Sequence, residues 1–471
     1  MSRKYFHGSL RLSVLAFGLL AVICIFPTAG VPQSTPSKSA SEPAHSVHTP
    51  FTESTLPNGL RVIFSEDHSA PTYSIAVVYD VGSRNEREGR TGFAHLFEHM
   101  MFQGSENVGK GEHDFLVFSN GGSANGTTDK DRTLYFETMP ANQLELGIFL
   151  EADRMKSLAV TQANLDNQRN AVQEERRLRV DNQPYGPTFE LIDETAYDNP
   201  AYKHSIIGSM ADLNAASISD VTSFFKTYYA PNNAVIALVG DFNTAEALAT
   251  MKKYFGQIPR QPAAPKVDMT EPAQAAERRK TVTDNFAQLT RLDILYKIPP
   301  SNTPDWYALD VLSDVLANGQ SSRLYQELVK DKELAVGLGV GPEQARGPSL
   351  FSVAANVRPG KPVDELEKAI EADLDRIKTG GVTPEEMSKV MMEERVSHVR
   401  ALQGTLGRAV ELAEDTTFYG TPNLINTQMD DYRKVTAADV QRVAQKYLTE
   451  NNRTVIVTVP KSSGAPSRSG E

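Results

Sequence analysis

The chain has 471 residues, 40% of them hydrophobic and 23% charged, with a formal net charge of −11. That length exceeds one hydrophobic core and suits two domains of ordinary size, while the composition excludes a fibre, a disordered chain and a membrane bundle. An acidic protein gains no electrostatic attraction from nucleic acid or anionic lipid, so neither is expected as a partner.

Residues 1–30 read as a signal peptide. Arg3, Lys4 and Arg11 precede an apolar run from Leu12 to Phe26, and Pro27, Thr28, Ala29 and Gly30 follow. This is a basic segment, a hydrophobic segment and a small-residue cleavage region. The run is shorter than the about 20 apolar residues of a membrane-spanning helix, so a periplasmic or secreted protein is expected rather than an anchored one. Cys24, the only cysteine, lies inside this segment, so the exported chain would carry neither thiol nor disulfide, and its net charge would be −14. Residues 31–50 are rich in Ser, Pro, Thr and Ala and read as a disordered tether.

A first domain is expected over residues 51–256. Leu60 to Phe64 and Tyr73 to Tyr79 read as strands separated by the turn-rich Glu66 to Pro71. Thr91 to Phe102 (TGFAHLFEHMMF) is free of proline and reads as a helix. There His95 and His99 stand at i and i+4, so both imidazoles leave one face and can grip one ion. Glu98 lies beside them without being forced to ligate. His-x-x-Glu-His is the inverzincin signature. A catalytic zinc takes three protein ligands and keeps a position open for water, whose pKa it lowers to about 7. A neighbouring carboxylate then takes the proton and passes it to the leaving amine. The five-residue pattern also recurs by chance, so a third ligand is required. The helical stretch 165–177 (LDNQRNAVQEERR) offers Glu174 and Glu175, which differ by about 100° of rotation, so only one can face the metal.

Two later segments echo each other. Val221 leads over seven residues to Tyr228, then to Asn232-Asn233 and an apolar strand; Val440 leads over seven residues to Tyr447, then to Asn451-Asn452 and another strand. The repeat points to two related halves. The Pro-rich residues 257–275 read as a linker, 276–460 as a second, homologous domain and 461–471 as a flexible tail.

These motifs resemble the pitrilysin peptidases, which include insulin-degrading enzyme and the zinc subunit of mitochondrial processing peptidase. In that family a Glu about this far downstream completes the zinc site, ending a pattern like Glu-Arg-x-x-Val-x-x-Glu. By that register the ligand is Glu175, 76 positions after His99, and one zinc per chain is implied. Where the family often has an outer carboxylate seven residues earlier, this chain has Gln168. Val81 to Glu86 is similar to the family's strand-to-helix approach to the motif, and Tyr228 to Asn233 to its helix-to-strand joint. Asn120 to Phe136 is similar to its edge strand, which binds substrate by backbone pairing, with Asn125 and Gly126 as the substrate-binding residues. The implied fold is α+β: two structurally similar domains, each an antiparallel sheet packed with helices, LuxS/processing-peptidase-like.

Complete enzymes of this kind carry an Arg and a Tyr, seven apart, in the second half. Val329 and Val336 occupy those positions here, and neither can donate a hydrogen bond. Arg323 and Tyr325 lie nearby at the wrong spacing. The resemblance therefore implies a zinc endopeptidase of peptides or unfolded polypeptides, with Glu98 as general base towards a metal-activated water. It also implies a second homologous chain, either a partner without zinc in a heterodimer or another copy in a homodimer. The alternative is a non-catalytic peptide- or zinc-binding subunit of a peptidase complex.

Overall fold

Two β-sheets organise the computed structural model, which describes residues 48–461. The expected signal peptide, most of the tether and nearly all of the tail lie outside the described residues. The first sheet contains β1 (Thr52–Thr55), β2 (Arg61–Glu66), β3 (Thr72–Tyr79), β4 (Ser123–Thr128), β5 (Thr133–Pro140) and β6 (Ala234–Gly240), in the order β1-β2-β6-β3-β5-β4. The second contains β7 (Arg278–Asp284), β8 (Arg291–Ile298), β9 (Ala335–Pro342), β10 (Ser349–Val357) and β11 (Arg453–Pro460), in the order β7-β11-β8-β10-β9. Apart from β1, the two orders are the same. The fold is α+β, with each sheet packed by helices.

The expectation of antiparallel sheets needs one correction. In each sheet a single pair is parallel, β2 with β6 and β7 with β11. β2 and β3 run antiparallel across a short turn, as do β7 and β8, but the last strand of each half inserts between them. That strand returns from a long helical excursion, so it can pair antiparallel with one neighbour only by running parallel to the other.

The sequence echo has a structural cause. The helices Ile218–Tyr228 and Ala437–Tyr447 both start with capping boxes, Ser217 with Asp220 and Thr436 with Asp439. Asn233 Nδ2 then donates to Tyr228 O at 2.8 Å, and Asn452 Nδ2 donates to Tyr447 O at 2.8 Å. Their second bonds go to Asp80 O at 3.2 Å and Lys297 O at 2.8 Å, fastening each helix end to the neighbouring strand.

Each half also covers the other. Residues 49–461 form one compact unit. The helix Thr405–Tyr419, from the C-terminal half, lies across β3, β5 and β6. Its Ala409, Leu412 and Ala413 pack on Ala76, Val78 and Ala237. In return the helix Gly186–Ala196, from the N-terminal half, lies against β7, β8 and β11, and Tyr197 and Tyr202 just beyond it pack on Leu295, Leu350 and Ile456. Both faces of the central strands of each sheet are thereby removed from water. This is why all seven residues of β6 (AVIALVG) are buried instead of alternating.

Residues 258–277 contain neither helix nor strand, yet they are pinned. Glu271 accepts from the amides of Asp198 and Asn199 at 2.8 and 2.9 Å and pairs with Lys297 at 2.5 Å.

Candidate metal centre

The first element of the site is the helix Phe93–Met100. Phe93, Leu96, Phe97 and Met100 are buried, at the spacing of one helical stripe, leaving His95, Glu98 and His99 on another face. The buried Glu86 carboxylate caps the helix, accepting from the amides of Gly92 at 2.8 Å and Ala94 at 2.7 Å. Gly92 has φ 86°, and a Cβ there would lie 2.5 Å from Ile207 O, so the entry turn admits only glycine.

The second element is the helix Gln162–Arg176, which packs against the first and is capped by Thr161. Leu165 and Val172 bury its inner side. Of the two adjacent glutamates, Glu175 turns to the histidines, while Glu174 is exposed and paired with Arg177. Glu175 Oε2 lies 3.0 Å from His99 Nε2 and 3.7 Å from His95 Nε2. The two imidazole centroids are 4.9 Å apart, and one ligand atom from each of the three residues falls within 4.8 Å of the others.

Two nitrogens and one carboxylate oxygen are the donor set of a catalytic zinc. The charge states suit it. Burial, with His99 as the next cause, pulls the His95 imidazole down to about 4, so its lone pair is free at neutral pH. Hydrogen bonding to His99 holds Glu175 below the usual carboxylate range. Buried His95 Nδ1 has no hydrogen-bond partner, and His99 is 25% exposed, which leaves the cluster open to water on one side.

Glu98 points at the open edge of the first sheet. Thr128 Oγ1, on β4, donates to Glu98 Oε2 at 2.7 Å. Burial raises the Glu98 pKa, and the Thr128 bond works against that rise. A Cβ on Gly126 would sit 3.1 Å from Glu98 Cγ and 3.2 Å from Tyr135, so glycine gives the carboxylate room beside the strand. Sequence reasoning missed Thr128. Its relevant neighbour is 30 positions away, and only the strand register reveals it.

β4 has a neighbour on one side only. The Asp129 amide donates to Arg132 O at 3.0 Å at the hairpin tip. Alternation from that pair along the β4–β5 register puts Thr127 and Asn125 in hydrogen-bonded pairs. The backbone groups of Gly126 and Thr128 therefore point to the open edge. The Gly126 N–H meets the Asn125 side-chain oxygen at 2.8 Å. Gln168 is buried, and its amide donates to Asn167 at 2.7 Å; no bond from it to His95, His99 or Glu175 is present among the described residues.

In the second half, Val336 is exposed at the start of β9 and Val329 packs against the core. Arg323 is committed elsewhere, donating twice to Glu386 at 2.6 Å.

A second buried group, His113 with Glu137 and Glu151, also brings possible ligand atoms within 4.8 Å. It already contains its cations. Arg154 Nε donates to Glu151 at 3.0 Å, and the guanidinium lies over the Tyr135 ring at 4.5 Å. Burial and Arg154 act to lower the His113 pKa, but Asp114 and Glu137 outweigh them and raise it. The Arg154 guanidinium on Glu151 and the His113 ring 3.0 Å from Glu137 partner the two carboxyl groups without a metal.

Residues 61–209 match the family model described as insulinase (peptidase family M16), and residues 215–393 match the one described as the peptidase M16 inactive domain. A zinc protease of Helicobacter pylori, PqqE, is 32% identical over 412 residues, covering 86% of this chain and 92% of that protein. A probable mitochondrial-processing peptidase subunit beta of Arabidopsis thaliana is 23% identical over 418 residues, covering 87% of this chain and 78% of that one. The crystal structure of a protease from Helicobacter pylori has a TM-score of 0.84 at 31% identity, covering 88% of this chain and all of that one.

Proposed function

The chain belongs to peptidase family M16, the insulinase family, and from that premise we propose that it is a zinc-dependent endopeptidase of peptides or unfolded polypeptides. The observation that carries the reading is the convergence of His95, His99 and Glu175 on one point, with Glu98 on the same helix face.

His95, His99 and Glu175 would hold one zinc ion per chain. When bound, zinc supplies a Lewis acid that acidifies water and polarises the scissile carbonyl. Glu98 takes a proton from water and returns it to the leaving amine, and Thr128 keeps its carboxylate turned to that task. An extended substrate pairs with the outward backbone groups of Gly126 and Thr128, so recognition reads backbone more than side chains. Asn125 turns away from the Gly126 N–H as a peptide carbonyl takes that donor.

Valine at positions 329 and 336, together with the commitment of Arg323 to Glu386, supports dependence on a second homologous chain, either a partner without zinc or another copy. The basic, apolar and small-residue order of residues 1–30 supports export. Among the described residues, no helix is long and apolar enough to cross a membrane.

The test is digestion of a peptide library by the purified chain, alone and with an M16 partner, before and after chelation and zinc return. Hydrolysis should follow zinc, and Glu98→Gln should abolish it while retaining the metal. The competing reading, a non-catalytic peptide- or zinc-binding subunit, requires that no pairing of the wild-type chain yields hydrolysis and that Glu98→Gln leaves peptide capture intact.

A further inference from the structure

The β4–β5 hairpin, which carries the open edge, is bolted to the C-terminal half by three consecutive residues. Lys130 Nζ donates to Glu343 at 2.8 Å. Asp131 accepts from the Arg346 amide at 2.8 Å. Arg132 Nε donates to Glu414 Oε1 at 2.7 Å, reaching the helix Thr405–Tyr419 that crosses over from the second half. Arg132 also does something the other two do not: its Nη1 donates to Thr127 O at 3.0 Å and to Thr127 Oγ1 at 2.7 Å.

A guanidinium is a rigid planar fork, so one end fixed by a carboxylate fixes the direction of the other donors. Arg132 and Glu414 are 14% and 19% exposed, so water weakens the pair less than an open surface pair. The Thr127 carbonyl faces β5, so holding it leaves the outward groups of Gly126 and Thr128 free. Thr127 is the residue between the glycine beside Glu98 and the threonine that bonds to it.

We propose that Arg132 is a positioning residue for the substrate-pairing strand, and that Glu414 keeps it in place, so the C-terminal half sets the rigidity and register of β4 beside Glu98. The proposal rests on the peptidase reading and assigns that half a part in building the zinc site.

Glu414→Gln weakens the hold on Arg132. Arg132→Lys keeps the charge beside Glu414 but loses the fork. With the active assembly, kcat/KM for a long extended peptide should fall about tenfold in each variant, mainly through KM. A short peptide that spans little more than the scissile bond should change much less, and zinc content should not change. A merely structural role would lower both substrates together. Hydrogen exchange on the full chain supplies a readout independent of turnover: in Glu414→Gln the amides of Asn125 and Thr127 should exchange faster, with β3 unchanged. Equal loss on both substrates, or no loss, overturns the proposal, as does unchanged exchange at Asn125 and Thr127. If the wild-type chain hydrolyses nothing with any partner, the peptidase reading falls, and the exchange result alone decides whether Glu414 anchors β4.

Discussion

Thr128→Val removes one hydroxyl and nearly preserves shape, so it isolates the 2.7 Å bond to Glu98. A hydrogen bond to an ionised carboxylate contributes about 1.5–3 kcal/mol, equivalent to a fall in kcat/KM of about 10- to 150-fold if the bond orients the base throughout the reaction. The same bond lowers the Glu98 pKa against the effect of burial. Its loss therefore raises that pKa, and because the base acts when ionised, the acid limb of the kcat/KM profile moves to higher pH. The assay is a quenched-fluorescence peptide followed across pH, with bound zinc measured on the same samples. Thr128→Ser should restore both rate and limb. An unchanged rate with an unmoved limb would refute the reasoning, and so would a rate loss matched by loss of zinc, since Thr128 contacts none of the three candidate ligands.

Glu175→Gln should reduce bound zinc and lower the thermal midpoint, whereas Glu174→Gln should do neither, because Glu174 pairs with Arg177 at the surface. Chelation should lower the thermal midpoint of wild type, since a ligand at about 1,000 times its Kd stabilises by about 4 kcal/mol; His99→Ala should lose that shift, and Glu98→Gln should keep it. Gly92→Ala, at φ 86° and 2.5 Å from Ile207 O, should cost at least about 2 kcal/mol in urea unfolding, combining left-handed strain with a backbone clash. Asp67 is bonded to Arg408 across the two halves, which holds its carboxyl down to about 2. A depressed carboxylate stabilises above its unfolded pKa and loses that contribution as pH falls. The gap in urea midpoint between wild type and Asp67→Asn, on the order of 1 kcal/mol, should therefore be present at pH 7 and close between about pH 4 and pH 2.

The pairing of His95 with His99 was legible because its geometry is local. Four residues of helix place them on one face, whereas Glu175, which lies beside them, was pointed to only by family register. The doubled fold was legible in the Asn-Asn turns because the same asparagine performs the same two bonds in each half. Thr128 and Arg132 were not legible, because their work depends on which strand lies beside which helix. The insertion of β6 between β2 and β3 was hidden for the same reason: the link at Glu66 to Pro71 is turn-rich, and nothing local announces a third strand between the two it joins. The crossing of the helix Thr405–Tyr419 did leave one trace. Ala234 to Val239 is apolar at every position, which a strand half open to water has no reason to be.

That crossing bears on how the two halves can move. A chain whose halves each roof the other cannot gape like two shells on a hinge without stripping apolar surface from both sheets. Cutting residues 258–277 with a protease should therefore leave two fragments that stay clasped until denaturant separates them.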